Sequence, residues 1–231
     1  MTATVSRVLL MDFDGVLLRH PAVLGRIQRR VVTYVQQNVK GGYLSETDAA
    51  RVNRDLYGRY GHTHTGMKKL FLPHTRLSSF NAFVYDPVFL NELYKTYGKD
   101  PEVLSGIQQW NAWFDDQLSS DAGEVDKVAI FTNSPAAWPT MWLDAAGLLN
   151  RFQEILGSDH VLFEGREDSL LKPNKQLYMR LENYHDPHQM LYFVDDSPVN
   201  LEPLVHRPQW IPMLFDGEDV VKFSGVGSEE V

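Results

Sequence analysis

Short apolar runs and helical stripes divide the chain into two parts that meet near residue 120. The first run, Val8-Leu9-Leu10-Met11, stops at Asp12 and is typical of a buried strand that feeds a turn. Residues 18–120 then carry apolar positions at helical spacing, whereas later residues alternate between strand-like runs and helical stripes. This alternation predicts an α/β fold with a Rossmann-like parallel sheet, covered by helices on both faces.

Within the helical part, caps and prolines predict where single helices begin. An apolar stripe runs from Pro21 to Lys40 and is followed by two glycines, which end a helix. Ser45 and Asp48 have the spacing of a capping box and predict the start of a second helix. Pro87 and Pro101 each precede an apolar stripe and predict two further starts. We therefore expect this part of the chain to be mostly helical.

Polar residues follow the apolar runs at the points where the predicted strands end. In an open parallel sheet the carboxyl ends of the strands share one edge, and ligands bind there. Side chains at these ends are therefore expected to converge on one crevice. The residues concerned are Asp12 and Asp14, Thr132 and Asn133, and Asp195 and Asp196.

The composition is that of an ordinary globular protein and excludes several classes. Of 231 residues none is cysteine, which excludes a disulfide-stapled scaffold, thiol catalysis and thiolate metal sites. The net charge of −8 argues against a nucleic acid polymer or an anionic membrane as the main partner. No run approaches the roughly 20 apolar residues of a membrane span, and Met1–Asp12 lacks the pattern of a targeting segment. We therefore expect a cytoplasmic protein.

Asp12 and Asp14 supply the first candidate chemistry. A carboxylate at the end of a buried strand can act as a nucleophile, provided that the charge of its neighbour is offset. Gly15 permits the tight turn that brings Asp14 back over such a site. Taken alone, the same residues are also compatible with a strand followed by an Asx turn.

Asp195 and Asp196 indicate a metal site more directly. Two adjacent acids at the end of a buried strand repel each other unless a cation is present. Carboxylate oxygens suit a hard cation such as Mg²⁺, and the sequence offers no His or Cys set with the spacing of a zinc site.

Thr132, Asn133 and Lys172 are candidates for binding phosphate. A hydroxyl and free backbone N–H groups before a helix can hold phosphate oxygens, and lysine supplies a compact positive charge. Taken alone, Thr132 and Asn133 are also compatible with a capped helix start, and Lys172-Pro173 with a solvated turn.

Together and in this order, these pieces resemble the four motifs of the haloacid dehalogenase-like hydrolase superfamily. The resemblance covers residues 5–17 and 122–216, and all four motifs are intact. They are Asp12-Phe13-Asp14-Gly15-Val16, Phe131-Thr132-Asn133, Lys172-Pro173, and Val194-Asp195-Asp196-Ser197-Pro198-Val199-Asn200.

The resemblance implies a reaction. Asp12 would attack phosphorus in line and form an aspartyl-phosphate, while Asp14 would protonate the leaving group and later take a proton from water. In this superfamily the true dehalogenases and the P-type ATPases lack an acid at the position of Asp14. Its presence here therefore points to a phosphatase or a phosphomutase.

The resemblance also implies how the site is held together. The phosphoryl oxygens would be bound by Thr132, the backbone of Asn133 and Lys172. The cofactor would be Mg²⁺, bound by Asp12, the backbone carbonyl of Asp14, Asp196 and, as an additional or water-mediated ligand, Asp195.

Thr132 lies 120 positions after Asp12, and this superfamily inserts a helical cap between the corresponding motifs. The expected domains are a discontinuous core of residues 1–17 and 122–231, with a disordered tail over 222–231, and a cap of residues 18–121. An alternative is that the last helix of the cap segment belongs to the core. A closed cap excludes water, which favours a small phosphorylated substrate over a phosphoprotein.

Within the superfamily, the chain is most similar to the pyrimidine 5′-nucleotidase-like group. This likeness rests on residues 56–66, 85–87 and 193–197. It implies hydrolysis of a nucleoside 5′-monophosphate. Two alternatives remain open: a sugar phosphomutase or phosphotransferase on the same scaffold, and a non-enzymatic protein that binds through its cap.

Two pairs of side chains outside the motifs invite a functional interpretation. His62 and His64 lack a third metal ligand, so a polar loop is the simpler interpretation, with a grip on a base or sugar if that loop faces the cleft. Trp138 and Trp142, four residues apart, are expected to pack on a helix rather than to stack on a base.

Overall fold

A six-stranded sheet forms the centre of the protein. The computed structural model describes residues 6–119, 125–165 and 170–225. The strands are β1 (Arg7–Met11), β2 (Val125–Phe131), β3 (Glu154–Leu156), β4 (Met190–Asp195), β5 (Trp210–Phe215) and β6 (Val220–Lys222). Their order across the sheet is β3-β2-β1-β4-β5-β6. The first five strands are parallel and β6 is antiparallel to β5, which confirms the predicted α/β fold and adds an edge strand.

The helices lie mostly between β1 and β2, as predicted. They are α1 (Pro21–Asn38), α2 (Glu46–Tyr60), α3 (Thr63–Leu70), α4 (Leu77–Val84), α5 (Pro87–Tyr97), α6 (Pro101–Gln108), α7 (Trp110–Ser119), α8 (Ala137–Ala145), α9 (Lys175–Tyr184) and α10 (Pro198–Leu201). Short 3₁₀ turns cover Val39–Gly42, Leu149–Arg151, Val161–Phe163 and Glu202–Leu204. Within the described ranges, no helix is both long enough and apolar enough to cross a membrane.

The start of each predicted helix has a clear local cause. Ser45 Oγ accepts a hydrogen bond from the backbone N–H of Asp48 at 3.1 Å and caps α2. Asp86 and Asp100 cap α5 and α6 in the same way, each directly before a proline at the first helical position. The capping and proline signals therefore predicted these starts correctly.

The alternation of side chains along β1 connects the strand to two separate clusters of buried side chains. Val8 and Leu10 belong to a buried cluster with α2, α3, α4, α9 and most of α1. Leu9 and Met11 belong to a second cluster with α5, α6, α7 and α8. Successive residues of a strand point to opposite faces, so β1 is covered on both sides and its carboxyl end opens between the two layers.

The contacts of α6 and α7 bear on where the inserted cap ends. The ring of Trp110 lies 5.3 Å from that of Phe215 in β5, and the ring of Phe114 lies 5.5 Å from that of Phe152. Gln108 donates a hydrogen bond to the carbonyl of Ala146, just after α8. A cap of residues 18–121 stays a prediction; these contacts join α6 and α7 to β5, α8 and the segment before β3, as expected if the last helices of the insert belong to the core.

The predicted disordered tail is wrong at its beginning. Lys222 belongs to β6 and pairs with Met213 of β5. Phe223 is buried and its backbone N–H bonds to the carbonyl of Pro212 at 2.9 Å. The strand is only three residues long, and it forms because the edge of β5 offers unpaired backbone groups, which a local pattern does not reveal. Residues 226–231 of the predicted tail lie outside the described residues.

Candidate active site

The carboxyl ends of β1, β2 and β4 bring the motif residues together. Lys172 Nζ lies 3.0 Å from Asp12 Oδ1 and 2.7 Å from Asp195 Oδ2. Carboxylate oxygens of Asp12, Asp195 and Asp196 all lie within 4.8 Å of one another. The side chains at these strand ends therefore converge in the structure, as predicted.

Lys172 is the positive centre of this cluster. Its side chain is 1% exposed, and its ammonium lies above the rings of Phe131 and Phe193. Burial alone would lower the pKa of Lys172, but the ion pairs with Asp12 and Asp195 outweigh burial and raise its pKa. The lysine therefore stays charged and offsets part of the negative charge around it.

Asp195 is fully buried, and all the hydrogen-bonding capacity of its carboxylate is used. Oδ1 accepts bonds from the Ser197 backbone N–H at 2.8 Å and from Asn200 Nδ2 at 3.0 Å. Oδ2 accepts bonds from Lys172 Nζ and from Asn200 Nδ2 at 3.0 Å. A carboxylate offers about four lone-pair sites, so this arrangement favours Asp195 as the residue that holds Lys172 rather than as a direct metal ligand.

Asp12 and Asp196 remain as the acids whose charges call for a cation. Burial raises the pKa of Asp12 well above its usual value; Lys172 opposes this rise, and Asp195 and Asp196 add to it. Loss of solvent around its carboxylate and the neighbouring Asp195 raise the pKa of Asp196 to about 6. Both shifts reflect first the burial of the carboxylates and then their closeness to other acids.

The space between Asp12 and Asp196 fits a hard cation. Gly15 leaves room for the Asp196 carboxylate, because a Cβ at Gly15 would lie 2.1 Å from Asp196 Oδ2. The φ of +90° at Gly15 also suits glycine. The donor set is made of oxygen atoms, which Mg²⁺ prefers, so the residues present fit this ion.

Asp14 is held by a pair of hydrogen bonds from the loop and helix that follow β2. Ser134 Oγ donates to Asp14 Oδ2 at 2.6 Å, and Trp138 Nε1 donates to Asp14 Oδ1 at 2.7 Å. Because the hydroxyl proton of Ser134 is used in this way, Tyr85 must be the donor in its 2.9 Å bond to Ser134 Oγ. Burial raises the pKa of Asp14, and the bonds from Ser134 and Trp138 oppose that rise.

Thr132 and Asn133 connect the second and third motifs. The Asn133 side chain donates to the Lys172 carbonyl at 3.1 Å and accepts from the Lys172 N–H at 2.8 Å. This reciprocal pair fixes the backbone that carries the lysine. Thr132 is buried, and its hydroxyl oxygen accepts a bond from the Ser134 N–H at 3.2 Å, which leaves the hydroxyl hydrogen free for another acceptor.

One cavity of about 450 Å³ joins this cluster to the helices between β1 and β2. Its floor includes Asp12, Asp14, Thr132 and Lys172, and its opposite wall comes from α1, α2, the turn before α3, and α4. Ligand pockets of proteins measure about 300–1,000 Å³, so the cavity has room for a small organic molecule beside the acids.

The turn between α2 and α3 lies directly over the third motif. Gly61 has a φ of +70° and ends α2 in the left-handed conformation. A Cβ at Gly61 would lie 2.5 Å from Pro173 Cδ and 3.4 Å from the Lys172 carbonyl oxygen. The α2–α3 turn therefore closes the cavity next to Lys172.

Several residues around the site were missed or misjudged from the sequence. Trp138 packs on a helix as expected, but its indole N–H also binds Asp14. The sequence predicted no role for Ser134, Tyr85 or Asn200. The clearest available signal was for Ser134, which follows Thr132 and Asn133 directly; the contacts of Trp138 and Tyr85 depend on the fold and have no local pattern.

The two histidines of the α2–α3 region have different positions. His62 lines the cavity, so the loop does face the cleft, whereas His64 is buried in the core and does not line the cavity. The described residues contain no group of three metal-ligating side chains that includes either histidine.

Comparisons with known proteins give only distant structural likeness. No protein-family model matches the chain, and no curated protein sequence does. Similar solved structures include a predicted phosphoglycolate phosphatase from Haemophilus somnus 129PT, with 16% identity, a TM-score of 0.46, and coverage of 91% of this chain and 85% of that one. A predicted phosphatase from Clostridium acetobutylicum has 11% identity, a TM-score of 0.44, and coverage of 89% and 82%.

A third similar structure is the L-2-haloacid dehalogenase from Xanthobacter autotrophicus. It has 16% identity, a TM-score of 0.40, and coverage of 85% of this chain and 72% of that one. By their names, the first two of these proteins are predicted phosphatases and the third is a dehalogenase.

Proposed function

We propose that the protein is a Mg²⁺-dependent phosphatase that hydrolyses a small phosphomonoester, with a nucleoside 5′-monophosphate as the expected substrate. The observation that carries this proposal is the meeting of Asp12, Asp14 and Lys172 at the floor of one cavity. A nucleophile, a proton donor and a cation for phosphate are thereby available within one enclosed space.

In the first step, Asp12 is the nucleophile. An oxygen of its carboxylate forms a bond to phosphorus while the bond from phosphorus to the ester oxygen breaks. Asp14, in its protonated form, transfers its proton to that departing oxygen, so that the leaving group departs as a neutral alcohol. The raised pKa of Asp14 favours the protonated form that this step requires.

In the second step, water releases the phosphate. The Asp14 carboxylate takes a proton from a water molecule whose oxygen bonds to phosphorus, and the bond from phosphorus to the Asp12 oxygen breaks. Inorganic phosphate leaves, Asp12 is again a carboxylate, and Asp14 is again protonated. The clamp of Ser134 and Trp138 holds Asp14 in place for both transfers.

The phosphoryl group is held by residues of this chain. The Thr132 hydroxyl, the Asn133 backbone N–H and the Lys172 ammonium donate to its oxygens. Mg²⁺, when bound by Asp12, Asp196 and the Asp14 carbonyl, supplies further positive charge for these oxygens. Asp195 and Asn133 act through Lys172, because both fix its position.

A sugar phosphomutase or phosphotransferase would use the same floor of the cavity. In that case an alcohol group of a second substrate, instead of water, would accept the phosphoryl group from Asp12. The products separate the two functions, since only the hydrolase releases inorganic phosphate.

A panel of phosphate esters, assayed with Mg²⁺ and then with a chelator, tests the proposal. We expect release of phosphate that chelator abolishes, and loss of at least about a thousandfold in Asp12→Asn, which removes the nucleophile but keeps the shape of the side chain. Undiminished turnover by Asp12→Asn, or an isomerised sugar phosphate without free phosphate, would rule the proposed function out. A preference for nucleoside monophosphates over sugar phosphates would support the narrower assignment.

A further inference from the structure

We propose that the helical wall of the cavity recognises the leaving group by a carbonyl or carboxylate oxygen, through two fixed N–H donors, Asn53 Nδ2 and His62 Nε2. This inference rests on the proposed function and adds the class of leaving group to it. Both residues line the cavity that also contains Asp12 and Lys172.

Asn53 presents its amide N–H₂ as a free donor. The side chain is buried at 7% exposure in α2, and its Oδ1 is 2.6 Å from Thr63 Oγ1. That short distance is typical of an O–H···O bond, so the Thr63 hydroxyl donates and the amide oxygen of Asn53 is used. Among the described residues no acceptor bonds to Asn53 Nδ2, and this nitrogen is not one of the fully buried polar atoms without a partner, so it stays accessible from the cavity that Asn53 lines.

His62 presents a second donor in a fixed protonation state. Its Nδ1 accepts a bond from the backbone N–H of His64 at 3.2 Å. Burial, with the neighbouring His64, lowers the pKa of His62 to about 3, so the ring is neutral and its one hydrogen is on Nε2. Edge-on contact with Phe80, at 5.5 Å between ring centres, holds the ring. Among the described residues, no acceptor bonds to His62 Nε2.

The two donors line the same cavity as the residues expected to hold the phosphoryl group. His62 follows Gly61, which touches Pro173 next to Lys172, and Thr63 links His62 to Asn53. A group attached to a phosphate at Lys172 therefore extends toward this wall.

The wall also contains the polar residues Gln28, Arg54 and Tyr57, and an apolar strip that adds a preference of its own. Leu24, Ile27 and Val31 of α1 line the cavity together with Phe80. A leaving group with an apolar face and an oxygen acceptor on its edge matches such a wall. An amino group in place of that oxygen would face the N–H groups of Asn53 and His62, and no hydrogen bond could form between donors. A polar site rejects an analogue in this way, because its own donors are left without acceptors.

Matched pairs of esters test this recognition. The pairs are inosine and adenosine monophosphate, uridine and cytidine monophosphate, and 2-phosphoglycolate and 2-hydroxyethyl phosphate; each pair differs in one carbonyl or carboxylate. We expect kcat/KM to favour the oxygen-bearing member of at least one pair by tenfold or more, mainly through KM. The pair that shows the effect identifies the source of the oxygen, a base or a carboxylate.

Two variants tie the preference to the two donors. Asn53→Asp replaces the N–H₂ donor by an acceptor, and His62→Ser removes the ring N–H but keeps an oxygen that can cap α3. Each is expected to lower the ratio of kcat/KM between the members of that pair about tenfold. A merely structural defect would lower both members together and leave the ratio unchanged.

Asn81→Ala is the matched control, since Asn81 is an asparagine of α4 that does not line the cavity; its ratio is expected to equal that of the wild type. Turnover without preference in any pair, or ratios unaffected by Asn53→Asp and His62→Ser, would overturn the inference while leaving the proposed function standing. If none of the esters is hydrolysed, both fail together.

Discussion

The floor and the helical wall of the same cavity satisfy their polar groups in opposite ways. On the floor, Asp195 accepts four hydrogen bonds, Asp14 accepts two from side chains, and Lys172 bridges two acids. On the wall, Asn53 and His62 each use one polar atom within the protein and leave one nitrogen as a donor for the cavity. A floor fixed by internal bonds is preorganised for chemistry, whereas free donors on the wall are suited to reading a ligand.

The strongest test of this comparison removes the cation at the centre of the floor. Lys172→Met leaves Asp12 and Asp195 buried without a counter-charge, and breaking a buried ion pair in this way costs about 3–5 kcal/mol. We expect the free energy of unfolding at pH 7, measured by urea denaturation, to fall by about 3 kcal/mol. Lys175→Met, at an exposed position of α9, is the control and is expected to change it by less than about 0.5 kcal/mol. Equal effects of the two variants would mean that Lys172 does not hold the floor together.

The two tryptophans of α8 test whether a hydrogen bond on the floor of the cavity contributes to the rate of the reaction. Trp138 and Trp142 are both fully buried, but only Trp138 Nε1 bonds to Asp14; the Trp142 Nε1 has no hydrogen-bond partner in the described part of the chain. Trp138→Phe should lower kcat about tenfold for alkyl phosphates, because Asp14 then loses one of the two hydrogen bonds that orient its carboxyl group, and a hydrogen bond contributes about 0.5–1.5 kcal/mol. Trp142→Phe should leave kcat nearly unchanged.

The leaving group provides an internal check on that result. A nitrophenyl phosphate departs without much help from a proton, so Trp138→Phe should affect its hydrolysis less than that of an alkyl phosphate. If both esters lose activity to the same extent, Trp138 has a packing role only.

The floor was predictable from the sequence to a greater extent than the wall. Asp12, Thr132 and Asp195 each follow an apolar run directly, so strand periodicity and the rule that parallel strands share a carboxyl edge sufficed to bring them together. Asn53 and His62 lie on a helix and at a helix start, and their contacts come from the packing of α2 against α3. The pattern along a single helix predicts which side chains are buried, but it does not predict which neighbour each side chain contacts. For the same reason the sequence did not predict the bond from Trp138 to Asp14.

The α2–α3 turn tests how firmly the wall is seated on the floor. Gly61→Ala places a Cβ against Pro173 and requires a left-handed backbone that alanine disfavours. We expect a loss of about 1–2 kcal/mol in the free energy of unfolding and a higher KM, because the turn must move away from Lys172. Gly25→Ala is the matched control: it lies inside α1 with nothing near the added methyl group, so it should stabilise by about 0.5–1 kcal/mol. Stability and KM unchanged in Gly61→Ala would show that the wall does not rest on the floor at this point.

The smallest expected effect concerns the carboxylate of Asp196, for which the described residues on the floor of the cavity supply no cation of its own. The pKa of Asp196 is raised to about 6, so the folded protein holds this proton more tightly than the unfolded chain does. Stability from this group is therefore fully present below the unfolded pKa of about 3.9 and is lost as the pH rises through 6. With chelator present, the melting temperature should fall over this interval, and Asp196→Asn should reduce that fall. Although protein atoms crowd its carboxylate, the Asp196 residue as a whole is exposed, and screening by solvent should keep the difference below about 1 kcal/mol.

Adding Mg²⁺ should reverse the trend, since a bound cation stabilises the ionised acids and its binding strengthens as they lose their protons. The wild type should then gain more in melting temperature at pH 7.5 than at pH 5, and Asp196→Asn should gain less than the wild type at both. Asp144→Asn, which changes an exposed acid of α8 outside the cavity, should behave as the wild type does. A rise in melting temperature with Mg²⁺ that is equal in all three proteins would place the ion elsewhere and leave the acids of the floor without their proposed partner.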